Sequence, residues 1–148
     1  MPIRLTTPIV EDFILERSDK HFGFDEAQLA TKVSIRQATQ FDNERRAELF
    51  AKTERIFDQN PGEVRIKSQW TIQQLKRLEV YCTLVDCNIE DSDGNPLFKF
   101  AVNNGVRSLA MSMGEFEAAW GKLPAIVANE IYAKVLEVNF DWKNPLMD

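Results

Sequence analysis

Apolar and polar positions along this chain alternate in two short stretches and recur at helical spacing in several longer ones. Within 30–38, Val33 and Ile35 alternate with Lys32, Ser34 and Arg36, the period of a half-buried strand. Thr39 follows as an N-cap, with Asp42 three residues on, favourably placed at a helix N-terminus. The spacing predicts a helix from there to about Asp58, with a stripe of Leu49, Phe50, Ile56 and Phe57, closed by Asn60, Pro61 and Gly62. Val64, Ile66 and Ser68 then alternate with Arg65, Lys67 and Gln69, which predicts a second strand over 63–70. Thr71 and Gln74 match a capping box opening a helix to about Ile89. Ile72, Leu75, Leu78, Cys82, Val85 and Ile89 form one face of it, and Val80, Tyr81 and Leu84 another. A helix apolar on two sides is a central one.

Beyond it, Asp91 to Pro96 reads as a turn, and Asn103-Asn104-Gly105 as the turn of a hairpin between 97–102 and 106–111. Ser112 and Glu115 form another capping pair for a helix from Met113 to Trp120, stopped at Gly121. Leu123 and Pro124 open the last helix, whose face is Ile126, Val127, Ile131, Val135 and Val138. Residues 1–30 are less regular: Pro2 and Pro8 break an early helix, Ile9, Val10, Phe13, Ile14 and Leu15 cluster, and 21–24 reads as a turn with Phe22 and Phe24 as anchors. The expectation is an α+β fold: a single compact domain over 1–148, with three to four helices around a central buried helix and a small antiparallel sheet or hairpin. Residues 1–30 form a packed N-terminal arm, and 140–148 a short C-terminal tail.

Composition changes this picture little. At 148 residues with 44% apolar and 28% charged positions, the chain can bury a core without staples. The net charge of −5 and the interleaving of Arg45 and Arg46 with Glu44 and Glu48 argue against nucleic acid as a partner. No window approaches the roughly 20 apolar residues of a membrane span, and the N-terminus lacks a signal-like run. A cytoplasmic protein that does not touch membrane is expected.

The chemistry search returns no constellation. One histidine, His21, and two cysteines, Cys82 and Cys87, do not make a closed zinc site. Both cysteines fall in the stretch read as helix, on different faces, so they are expected as free thiols. Asp91, Asp93 and Asn95 begin like a calcium loop, but Gly94 comes too early and Val102 stands where the glutamate belongs. No nucleophile elbow, dinucleotide fingerprint or phosphate loop occurs. No catalytic, cofactor-binding or metal residues are therefore assigned, no cofactor is expected, and the chain reads as non-enzymatic.

Interaction surfaces remain. Aromatic residues and arginines are common interface anchors, which selects Phe22, Phe24, Arg45, Arg46, Phe140, Trp142 and Leu146 as partner-binding candidates. Three stretches carry a resemblance: Val33-Ser34-Ile35-Arg36-Gln37-Ala38, Leu78-Glu79-Val80-Tyr81-Cys82-Thr83-Leu84, and Phe116-Glu117-Ala118-Ala119-Trp120-Gly121-Lys122-Leu123-Pro124. The third is followed by a helix ending in Val138-Asn139-Phe140-Asp141-Trp142. In these the chain resembles the small tail-assembly proteins of long-tailed bacteriophages, including the tail-assembly chaperones.

The resemblance implies a protein partner, the helical tape-measure protein or another tail protein, which such chaperones coat until tail-tube subunits replace them. It also implies possible self-association. A structural component of the virion (tail, neck or connector subunit) that assembles through its termini is the alternative reading. A host-directed inhibitor is a third.

Overall fold

The computed structural model describes residues 9–23, 30–57 and 64–142, with side chains described over 9–23, 30–52 and 72–142. The fold is α+β, as expected. Its described elements are strand β1 (Val10–Ile14), helix α1 (Glu16–Phe22), β2 (Lys32–Arg36), α2 (Gln40–Phe57), α3 (Val64–Thr83), β3 (Leu84–Cys87), β4 (Phe100–Asn103), β5 (Val106–Leu109), α4 (Met113–Trp120) and α5 (Ala125–Val138). A 3₁₀ turn, Phe140–Trp142, follows α5. Among the described residues no helix is long and apolar enough to cross a membrane.

The alternation around Val33 and Ile35 does produce a strand, and it is the middle one of an antiparallel sheet ordered β1-β2-β3. Val33 and Ile35 point inward and are fully buried. Asp86 pairs with Ser34 and Leu84 with Ile35, so Val85 is an extra residue, a bulge that turns β3 out of the end of α3. The hairpin forms where predicted. Asn104 (φ 53°) and Gly105 (φ 77°) both occupy the left-handed region that a tight two-residue hairpin loop requires. Helix α5 packs on β2, on α3 and on α1, and its Val127, Ile131, Val135 and Val138 join Leu15, Val80, Leu84, Phe98 and Phe116 in one apolar core.

Three expectations are corrected. The stretch predicted as a strand over 63–70 is helical from Val64 onward, and Thr71 lies inside α3 instead of capping it. Arg65, Lys67 and Gln69 are good helix formers, and no glycine or proline occurs from Val64 to Thr83, so nothing stops one helix from running through. That helix ends at Thr83 and not near Ile89. Thr83 turns its hydroxyl back onto the Glu79 carbonyl at 2.7 Å, and the chain then pairs with β2. Cys87 accordingly sits in β3 while Cys82 sits in α3, and both thiols are free.

The third correction concerns the arm. Its described part, 9–23, is a regular strand and helix, β1 and α1. Nothing local caps α1: Leu15 at its N-cap has no side-chain bond to offer. The cap comes from α5 instead. Glu130 accepts from the Arg17 and Ser18 backbone N–H groups at 3.1 and 2.8 Å, and from the Ser18 hydroxyl at 2.7 Å. These are orphan donors of the first helical turn, and a carboxylate there also faces the positive end of the helix dipole.

Candidate functional site

The start of α2 is built by an exchange of caps. The Thr39 N–H donates to Asp42 Oδ2 at 2.8 Å, and the Asp42 N–H donates to Thr39 Oγ1 at 3.3 Å, a reciprocal box at the position the sequence marked as an N-cap. Burial raises the Asp42 pKa, but the Arg36 guanidinium at 2.8 Å and the Thr39 donors outweigh it and hold the carboxyl below its ordinary value. The residue after α5 and the 3₁₀ turn close over this corner. Asn139 accepts from the Ala38 N–H at 2.8 Å and donates to the Arg36 carbonyl, and the Trp142 indole N–H donates to Asn43 Oδ1 at 2.6 Å.

Of the partner-binding candidates, the structure gathers Arg45, Arg46, Phe140 and Trp142 at this corner. Trp142 was expected as a tail anchor, yet it is a core residue, only 1% exposed, because its indole has both an apolar bed and a hydrogen-bond partner. Arg46 is turned inward beside it. Its guanidinium lies 4.8 Å from the Trp142 ring and reaches Glu79 Oε1 at 3.2 Å. Glu79 is fully buried, and Tyr132 donates its hydroxyl to the other carboxylate oxygen at 2.9 Å. Burial raises the Glu79 pKa against the pull of Arg46 and Tyr132, and burial next to Glu79 raises that of the Tyr132 hydroxyl. This is a structural clasp that binds α2, α3, α5 and the 3₁₀ turn.

Phe140 and Arg45 remain accessible, as does Phe41, the ring over which Arg45 lies. Phe140 is 80% exposed and Phe41 65% exposed, the two most exposed large hydrophobic side chains described. Arg45, one helical turn after Phe41, lies 5.9 Å from its ring and 5.6 Å from the Tyr81 ring. Sequence reasoning passed over Phe41. The available signal was its position: nine residues before Phe50, it points to the opposite side of an ideal helix and so off the apolar stripe.

The other candidates lie elsewhere. Phe22, at the end of α1, meets His21 edge-on at 4.9 Å and lines a separate 450 Å³ cleft with Thr31, Ile89, Leu123 and Pro124. Phe24 and Leu146 lie outside the described residues, as do Asn60, Pro61 and Gly62. A second exposed apolar group, Ile9, Val10 and Ile14, runs along the edge strand β1, where Glu11 and Asp12 oppose pairing with another strand.

Among the described residues no group of three or more His, Cys, Asp or Glu side chains could hold a metal ion. The Asp91 carboxylate is engaged by the Asp93 and Asn95 N–H groups, an Asx-type turn around Gly94. Compared with protein-family models, with curated proteins and with solved structures, the chain matches none.

Proposed function

We propose that this protein works by binding another protein through the corner at the start of α2, with Phe41 and Phe140 as apolar anchors beside Arg45, and that it acts as a non-enzymatic phage tail-assembly chaperone. The observation that supports this is the pairing of two highly exposed aromatic rings with a rigid support. The two segments that carry them are tied in place by the Thr39–Asp42 box, by Asn139 and by Trp142. Anchors already held in place lose little conformational freedom on binding.

The partner that suits such a corner is an amphipathic helix that lays its apolar face over both rings, as a tape-measure segment would. Burying either phenylalanine is worth about 1.5–3 kcal/mol, so each Phe→Ser change weakens binding by about tenfold or more. The test is suppression of tape-measure fragment aggregation, read by light scattering, with the wild type and a Phe41→Ser/Phe140→Ser variant. The wild type slows aggregation and the variant does not, while far-UV circular dichroism of the two is the same. Equal activity of the two proteins, or none in the wild type, refutes the proposal. Mass spectrometry of purified virions separates it from the structural alternative, because a chaperone is absent from the finished particle.

A further inference from the structure

Among the described residues Arg45 is a half-buried arginine that enters no salt bridge. Arg36 pairs with Asp42, Arg46 with Glu79, Arg77 with Glu117 and Arg107 with Asp86. No salt bridge among the described residues includes Arg45; its contacts there are two ring faces and the Cys82 sulfur, 3.6 Å from Nη1. That sulfur does not neutralise it. Burial pushes the Cys82 thiol up to about 11 despite the pull of Arg45, so at neutral pH it is an uncharged S–H.

Arg45 borders a cavity of 140 Å³ between α2, the end of α3 and β5, whose wall includes Arg36, Tyr81, Val85 and Ser108. The Tyr81 hydroxyl is already used, donating to the Met111 carbonyl at 2.9 Å. The Ser108 hydroxyl makes no hydrogen bond to a described residue and is available as a donor. The Arg36–Asp42 pair is neutral as a unit, which leaves the cavity one net positive charge in a chain whose total is −5. Small-molecule sites usually enclose about 300–1,000 Å³, so a space this small takes a single functional group and not a nucleotide or a sugar. A planar guanidinium with donors to spare, facing a hydroxyl in a half-enclosed space, is an arrangement that recognises oxyanions.

We infer that the cavity between α2 and β5 is an oxyanion site, in which Arg45 and Ser108 hold one carboxylate or phosphate group. Arg45 supplies the charge and a two-pronged set of N–H donors, and Ser108 adds an O–H donor from across the cleft. This stands apart from the protein-binding proposal, because it holds or fails on the isolated protein with simple anions, whatever the chaperone assay returns.

The experiment is a titration of ¹⁵N-labelled full-length protein with sodium acetate and, separately, with inorganic phosphate, at constant ionic strength set with chloride. Saturable shifts of the Arg45 Nε–H and of the Ser108 and Cys82 amides are expected in at least one titration. Saturation by acetate alone assigns a carboxylate ligand, and by phosphate alone a phosphate. Arg45→Met abolishes saturation, and Arg45→Lys, which loses the two-pronged geometry, weakens it about tenfold. Shifts in both titrations that stay linear with concentration overturn the assignment, as does undiminished saturation in Arg45→Met. Should Arg45→Met fail to fold by circular dichroism, Ser108→Ala decides in its place: unchanged affinity overturns the site, and a several-fold loss supports it.

Discussion

Replacing Trp142 with alanine separates the two descriptions of the chain's end most sharply. If 140–142 were a free tail waiting for a partner, the change would leave stability within about 0.5 kcal/mol of wild type, as surface substitutions do. The structure demands far more. The ring is 1% exposed, its N–H is bonded to Asn43 at 2.6 Å, and the Arg46 guanidinium sits 4.8 Å from its face. Truncating a buried tryptophan removes about 3–5 kcal/mol. Within that sum the hydrogen bond accounts for about 1 kcal/mol and the cation–π contact for a comparable amount. A domain of this length has about 5–15 kcal/mol in all, so Trp142→Ala uses up a large share and lowers Tm by about 6–20 °C. Urea unfolding followed by far-UV circular dichroism measures it, with an unchanged m-value as the sign that both states keep their compactness. Trp142→Phe keeps most of the apolar area but strips Asn43 of its donor, and it loses only about 1–2 kcal/mol. A Trp142→Ala midpoint indistinguishable from wild type would sink the reasoning about the clasp.

Two further outcomes follow from the same long-range contacts. Glu130→Ala leaves the Arg17 and Ser18 N–H groups without their cap and destabilises the fold by about 2 kcal/mol; hydrogen exchange accelerates first in α1, and an unchanged exchange rate at Ser18 speaks against the cap. Asp42 titrates below its ordinary value of 3.8, so the stability it contributes is fully present above pH 3.8 and is lost as pH falls through its lower folded pKa. The stability gap between wild type and Asp42→Asn is therefore widest near neutrality and closes below pH 3.8, whereas a gap constant from pH 7 to 2 contradicts the Arg36 pairing.

Local signals in the sequence were read correctly wherever the structure is itself local. The Thr39 cap, the Asn104-Gly105 turn, the Ser112 cap of α4 and the Pro124 start of α5 each lie within a few residues of the element they define. The strand at Val33 was legible because only one face of β2 is buried. Failures came where two periods fit the same residues. Val64 to Trp70 alternates like a strand yet continues a helix, and Leu84 to Cys87 continues a helical stripe yet pairs as a strand. Tertiary pairing decided the second case. At the candidate site, Arg45 and Phe140 are accessible as an anchor must be, while Trp142 and Arg46 turn inward because of partners 99 and 33 residues away.

Those separations point to how the fold is held. Where local caps are missing, polar side chains from distant segments replace them: Glu130 for α1, Asn88 for the Ala30 and Lys32 backbone, and Asn139 for Ala38 and Arg36. Each reaches 56 to 113 positions along the chain. The Glu130 and Asn139 bonds require α5 to be docked, so α1 and the start of α2 depend on it together. The corner that carries Phe41, Arg45 and Phe140 is consequently a product of the finished fold, made from residues 36–46 and 139–142 at once. Helix formation in α2 alone would place Phe41 but not Phe140, and loosening the 3₁₀ turn would release Phe140 while leaving Phe41 in place. Affinity for a partner that spans both rings must therefore depend on the Trp142 clasp, even though Trp142 itself is covered. Trp142→Phe, which retains the buried ring, should keep such a partner, and Trp142→Ala should lose it under conditions where the rest of the protein is still folded.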